Sequence, residues 1–325
     1  MTDHQPPLDQ PSPAEREPAR GRDVPFATAV GVQIQQAECP DLLVRRDFAY
    51  EYRTATGERI LRSLDFVCMV RYAARALVGR RYIRDAEDGA RLVFMVDARY
   101  PEPGEMLFAP ERPDAVVHFP HLVPARNRDR LNGRGRFMFR QDFLGFSSKC
   151  AQRWPLAREA QRLPRAPGAA HRRDSIANGQ LRLIAAVETH MRPVVDLLGR
   201  RMAAGDKAPY RDATLYVPMI VTNAGLRLQG KAGAGRHRPG AEPVPGVCLR
   251  LPGTFHTQER VRELNALVNA HEHNRYGWCA QDLLLSPVVL LNVGAVASTL
   301  RELIREFKAL CDVDAIDFGF GQPGS

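Results

Sequence analysis

The stretch Arg91-Leu92-Val93-Phe94-Met95-Val96-Asp97-Ala98-Arg99-Tyr100 is an apolar run that closes on a carboxylate and a cation two positions apart. In a strand each residue advances roughly 3.3 Å and alternate side chains share a face, so Asp97 and Arg99 fall on one side, about 7 Å apart. Upstream, Ile60-Leu61-Arg62-Ser63-Leu64-Asp65-Phe66-Val67-Cys68-Met69-Val70 is a second run of the same kind, again with one carboxylate among apolar residues. A buried charge is costly unless compensated, so each acid calls for a cationic partner, a metal or a shifted pKa. If the runs are neighbouring strands, Asp65 and Asp97 converge on one divalent ion, which carboxylate oxygens suit. The competing reading is a pair of acids neutralised by the chain's plentiful arginines.

Composition sets the outer bounds. A chain of 325 residues with 44% apolar content fills a sizeable core, so it is not a wholly disordered protein. Lys plus Arg (46) minus Asp plus Glu (37) gives +9, and the excess is largely arginine. Guanidinium forks match phosphate oxygens, which favours a polyanionic partner; a general compositional habit explains the same excess. The six cysteines, Cys39, Cys68, Cys150, Cys248, Cys279 and Cys311, show no CxxC spacing, which argues against a zinc ribbon and for reduced, mostly buried thiols. Met1 to Arg22 has no apolar core of a secretory signal. The most hydrophobic stretch, Leu283 to Ala297, is interrupted and shorter than the ~20 residues a membrane span requires. A cytoplasmic protein with no membrane partner is expected.

Residues 1–24, rich in proline and charge, read as a disordered tail, and residues 25–325 as a single α/β domain. A first helix is expected from Phe26 to about Cys39. Leu42 to Arg53 and the Asp65 run, separated by Thr54-Ala55-Thr56-Gly57-Glu58, read as an antiparallel hairpin. Arg71 to Gly89 carries Arg71, Arg75, Arg80, Arg81 and Arg84, then a turn signal at Asp85-Ala86-Glu87-Asp88-Gly89, after which the Asp97 strand begins. Residues 106–173 give no clear periodicity. Within them Arg126, Arg128, Arg130, Arg134, Arg136 and Arg140, interleaved with Phe137 and Phe139, form a candidate phosphate-tracking loop; a solvated basic loop is the plainer reading.

Asp174 or Ser175 caps a long helix from Ile176 to about Arg201, which Pro193 is expected to kink or split. Ala213 to Asn223 reads as a strand, with Pro218 hinting at an edge or a bulge. Gly230 to Gly246 reads as a loop, Thr257 to about His273 as a helix, Leu283 to Leu291 as a last strand and Val296 to Leu310 as a last helix. The sum is a mixed β-sheet flanked by helices.

Other motifs carry little. Gly230-Lys231-Ala232-Gly233-Ala234-Gly235 lacks the Lys-Ser/Thr ending of a phosphate-binding loop. His271 and His273 sit two apart, not at the four-residue spacing by which one helix face ligates zinc. Ser147-Ser148-Lys149 is a weak candidate for serine-lysine chemistry.

The order of elements, together with Ser63-Leu64-Asp65-Phe66 and Val96-Asp97-Ala98-Arg99-Tyr100, resembles the PD-(D/E)xK nuclease superfamily, with its restriction-endonuclease-like core of a helix, three strands, a helix and a further strand. Ile176-Ala177-Asn178-Gly179-Gln180 opens the expected long helix, and Leu215 to Asn223 the strand after it. The resemblance covers about residues 26–223, leaving about 224–325 as a C-terminal strand-helix extension. It implies that Asp65 and Asp97 hold Mg²⁺ or Mn²⁺, and that Asp65, Asp97 and Arg99 form the catalytic group. It also implies hydrolysis of DNA phosphodiester bonds, with DNA preferred to RNA as partner. Two positions depart from the family pattern: Arg99 replaces the usual lysine and stays protonated, so it cannot take a proton from water, and Gln180 is followed four residues on by Ile184 where some members have tyrosine. The alternative is a catalytically inactive relative that serves as a nucleic-acid-binding or assembly module.

Overall fold

The computed structural model describes residues 20–53, 58–78, 81–98, 104–111, 118–124, 140–162, 174–204, 213–229, 241–250, 278–280 and 286–311, with 263 and 266. Helix α1 (Arg20–Gln35) leads into β1 (Leu43–Arg53), β2 (Arg59–Val78) and β3 (Arg81–Ala98). The helix begins ahead of the expected Phe26, and Glu38, just past its end, takes a left-handed φ of 51° that turns the chain toward the sheet. The expected hairpin forms: β1 runs antiparallel to β2, with Phe48 opposite Leu64 and Leu43 opposite Met69.

The next turn lies elsewhere than expected. Strand β2 runs on to Val78 and β3 begins at Arg81, while Asp85 to Asp88 fall in a register irregularity between Ala73 and Arg75. Strand formers on both sides, Leu77-Val78 and Tyr82-Ile83, outweigh the polar Asp85-to-Gly89 signal.

The chain continues through β4 (Glu105–Pro110), β5 (His121–Pro124), α2 (Arg140–Gln152), β6 (Leu156–Arg162) and α3 (Asp174–Ala203). Then come β7 (Ala213–Thr222), β8 (Gly225–Gln229), β9 (Ala241–Val244), β10 (Gly246–Leu249), β11 (Trp278–Ala280), β12 (Val288–Asn292) and α4 (Val296–Cys311). Among the described residues the strands form one twelve-stranded mixed sheet, ordered β1-β2-β3-β7-β12-β10-β6-β4-β8-β9, with β5 against β7 and β11 against β5. Helix α3 is the crossover that lets β7 lie parallel to β3, Asp97 opposite Ile220. The expected last strand, β12, is parallel to β7, Leu290 opposite Ile220.

Strand β7 is buried at every position, as a strand covered on both faces must be. Pro218 therefore marks neither an edge nor a break. The Tyr216 N–H bonds the Pro120 carbonyl at 2.8 Å on the β5 side. Two residues on, the Pro218 nitrogen takes the same side, after the last β5 pair at Leu215 and before the first β12 pair at Met219. No ladder donor is needed at that junction. Pro193 likewise sits inside α3 without dividing it.

Alternation along the strands builds two cores. Phe66, Cys68, Leu92, Phe94, Val96, Val217 and Met219 pack under α1, α2 and α4; Val93, Met95, Tyr216 and Ile220 pack under α3. On the first face Arg301 of α4 donates to the Gln36 carbonyl at 2.8 Å, satisfying the end of α1. Arg153 joins α2 to α4 through Glu302 at 2.7 Å and through Glu306.

Candidate active site

Phe66 opposite Val96 is the last register pair of the β2–β3 ladder at this end, so Asp65 and Asp97 hold the next positions on neighbouring strands. The Ala98 N–H donates to Asp65 Oδ2 at 2.7 Å. Asp65 is therefore brought to the peptide that follows Asp97, its carboxylate standing where a strand carbonyl otherwise accepts. Asp97 is 0% exposed, and by alternation with Val93 and Met95 its position belongs to the α3 face. Asp65 is partly exposed.

The local backbone explains how Asp65 reaches that peptide. Leu64 belongs to the core under α3 and Phe66 to the opposite core, although residues two apart in a regular strand share a face. On β1, Phe48 belongs to the α3 core while Arg46 places its guanidinium 5.5 Å from the Phe66 ring. Between Arg46 and Phe48, Asp47 has a φ of 52°. Both strands turn over at this point, as at a bulge, and the turn redirects Asp65 toward β3.

Helix α3 crosses the same face. Gln180 is buried and donates to the Arg250 carbonyl, just past β10, at 3.0 Å. Ten residues on, His190 lies 5.6 Å, ring to ring, from both Phe48 of β1 and Tyr216 of β7. Its Nδ1 is 3.3 Å from the Tyr216 hydroxyl, and Arg45 sits 5.3 Å over Phe48. Burial pulls the His190 pKa below its ordinary value, and the positive charges of Arg91 and Arg45 pull it the same way, so the ring is neutral near pH 7. Glu188, almost wholly buried, is ion-paired with Arg192 one turn along. His190 sits in no recognisable motif, and the tether of Gln180 to a segment 70 residues away has no local signal.

The remaining sequence candidates divide. Arg99, Arg126, Arg128, Arg130, Arg134 and Arg136 lie outside the described residues, as do Gly230 to Gly235, His271 and His273; Arg140 is the first residue of α2, and nothing is described of its side chain. Ser147 is 0% exposed and accepts from the Phe119 N–H at 2.7 Å, which makes it a structural acceptor and removes it as a nucleophile. Of the cysteines, Cys39, Cys68, Cys150, Cys248 and Cys311 are free thiols. Among the described residues no helix is long and apolar enough to cross a membrane. No group of three or more His, Cys, Asp or Glu among them is placed to share a metal ion.

What remains for a cation is a pair of carboxylates at the end of one ladder, one with an oxygen already engaged by Ala98. That donor set fits a hard ion that keeps several waters and takes part of its shell from substrate phosphate, and it does not fit an all-protein cage. The fold is that of a mixed-sheet α/β protein in which Asp65 and Asp97 hold neighbouring positions where the β2–β3 ladder ends. The chain matches no protein-family model, no curated protein and no solved structure.

Proposed function

We propose that this chain is a metal-dependent, nuclease-like protein that hydrolyses DNA phosphodiester bonds at Asp65 and Asp97. The observation that carries the reading is the meeting of Asp65 with the Ala98 N–H, which sets two acids at adjacent register on β2 and β3. Helix α1, the antiparallel strands β1, β2 and β3, and β7 lying parallel to β3 after helix α3 support a restriction-endonuclease-like core, with β4, β5, α2 and β6 inserted between β3 and α3. Asp65 and Asp97 would hold Mg²⁺ or Mn²⁺. When bound, such an ion lowers the pKa of its water and polarises the scissile phosphate. The protein's own part is to fix both acids on rigid strands and to exclude bulk water on the α3 side. Arg99, two positions on from Asp97, would hold phosphate or steady negative charge, since a guanidinium cannot serve as base.

A second reading, a nuclease-fold relative that binds nucleic acid or assembles without cutting it, is favoured by two specific features. Asp65 spends an oxygen on the ladder, and Asp97 is fully enclosed. The separating experiment is incubation with plasmid, single-stranded DNA and RNA in Mg²⁺ or Mn²⁺, beside Asp65→Ala and Asp97→Ala. Metal-dependent cleavage abolished by either substitution supports the first reading. Cleavage that survives both refutes the site, and metal-independent, salt-sensitive binding without cleavage leaves the second.

A further inference from the structure

Beyond Tyr72 opposite Ala90, strands β2 and β3 leave the sheet: β1 pairs no further along β2 than Met69, and β7 no nearer the start of β3 than Ala90. Among the described residues no third strand accompanies them. The six remaining residues of β2, Ala73 to Val78, run about 20 Å as a two-stranded ribbon. Its base is held on one side by Tyr72, whose ring is 6.1 Å from that of Phe307 and 5.9 Å from Lys308 Nζ.

Charge is distributed unevenly along this ribbon. The outer register pairs are Arg75 with Arg84, Ala76 with Ile83, Leu77 with Tyr82 and Val78 with Arg81, three arginines and no acid. The acids of the segment, Asp85, Glu87 and Asp88, all fall in the irregularity between the outer ribbon and its base. Arg75 stands directly opposite Arg84, a like-charge cross-strand pair of the kind that costs stability in a sheet and that a bound anion would relieve. Two copies of such a tip repel each other, so ribbon-to-ribbon pairing is disfavoured. A polyanion is attracted, and the major groove of duplex DNA, about 12 Å wide, admits a two-stranded β-ribbon.

We propose that the ribbon of residues 72–78 and 81–90 is a duplex-DNA-binding arm, its charge supplied by the opposed positions Arg75 and Arg84 and, at its outer end and on the other face, by position Arg81. It deepens the nucleic-acid part of the proposed function without needing the acids, which lie seven residues along β3 from Ala90, about 23 Å away. The arm holds the duplex at a distance from the strand-end site and adds affinity that sequence does not alter.

The test is fluorescence anisotropy of a short labelled DNA duplex titrated with the full chain across a range of salt. The proteins are wild type, Arg75→Ser/Arg81→Ser/Arg84→Ser and the matching triple lysine variant. The serine variant is expected to lose at least about tenfold in affinity at low salt. Its plot of log K against log salt should be shallower by close to 3, since each phosphate contact contributes about 0.9. The lysine variant is expected to bind as wild type does. A serine variant, folded by circular dichroism, that keeps wild-type affinity and slope overturns the arm. So does a wild type that binds anionic lipid vesicles or acidic protein but not duplex. Loss of arm-dependent binding alongside unaltered absence of cleavage sinks the nuclease site alone; metal-dependent cleavage with unaltered binding in the serine variant sinks the arm alone.

Discussion

Asp65 accepts the Ala98 N–H at 2.7 Å, so one carboxylate is both a candidate metal ligand and a closing member of the β2–β3 ladder. The two roles separate by substitution. Asp65→Ala leaves a part-buried amide without its acceptor and is expected to cost about 1–3 kcal/mol in urea unfolding. Asp65→Asn keeps an acceptor and should cost less than about 1 kcal/mol while removing the negative charge. If Asp65→Asn is as unstable as Asp65→Ala, the hydrogen bond is not what that residue contributes.

Asp47 carries a φ of 52° at the place where β1 and β2 turn over. Aspartate tolerates that conformation, glycine adopts it freely and β-branched residues resist it. Asp47→Gly is expected within about 0.5 kcal/mol of wild type, and Asp47→Val to lose about 1–2 kcal/mol by chemical denaturation. Equal stability of the two variants contradicts a left-handed residue at this position.

His190 titrates below its ordinary value because it is buried and faces Arg91 and Arg45. The unfolded chain, with a histidine pKa of about 6.5, then takes up a proton that the native protein refuses. This contribution to stability is complete above pH 6.5 and is lost as pH falls from 6.5 toward the depressed native value. His190→Gln should flatten the urea midpoint between pH 7.5 and 5.5 relative to wild type. An unchanged slope means that His190 is not held neutral.

Burial pushes Cys68 and Cys150 up to about 12, and Cys248 higher still, whereas Cys39 is only partly buried. Thiolate is the reactive form, so alkylation of native protein at pH 8, read by peptide mass spectrometry, should modify Cys39 well before these three. All should react once the chain is unfolded. Rapid native modification of Cys150 or Cys248 contradicts the packing around them.

Gly246 opens β10 beneath Trp154, where an added Cβ would come within 2.8 Å of Trp154 Cδ1, 2.9 Å of Leu291 Cδ1 and 3.0 Å of the Leu290 carbonyl. The backbone carbonyl cannot move aside cheaply, so Gly246→Ala is expected to destabilise by about 1–3 kcal/mol. A neutral thermal shift contradicts that close approach.

Long apolar runs made the β2, β3, β7 and β12 strands and the α3 and α4 helices readable in sequence, because burial on one or both faces leaves a period. The polar Leu156-Ala157-Arg158-Glu159-Ala160-Gln161-Arg162 and the short Ala241-Glu242-Pro243-Val244 carry none, so β6 falls in the stretch without periodicity and β9 in the expected Gly230-to-Gly246 loop; pairing with β4 and β10, far off in sequence, makes the first a strand, and pairing with the preceding β8 the second. The turn after β2 was misplaced because Asp85 to Gly89 has turn chemistry yet forms an irregularity inside a longer ladder. For the site, the apolar runs place one acid on each of two strands, and Asp65 and Asp97 do hold neighbouring positions on β2 and β3. The turnover at Asp47 and Asp65, and the capture of Ala98, were not legible, since both depend on how β1 twists against β2.

The most direct test of the acidic pair as a metal site is calorimetric titration of Mn²⁺ into the wild type, Asp65→Asn and Asp97→Asn, each verified as folded. One ion bound per wild-type chain, with binding weakened at least about tenfold by either substitution, is the result this account predicts. Binding that is absent from wild type, or undiminished in both variants, contradicts it.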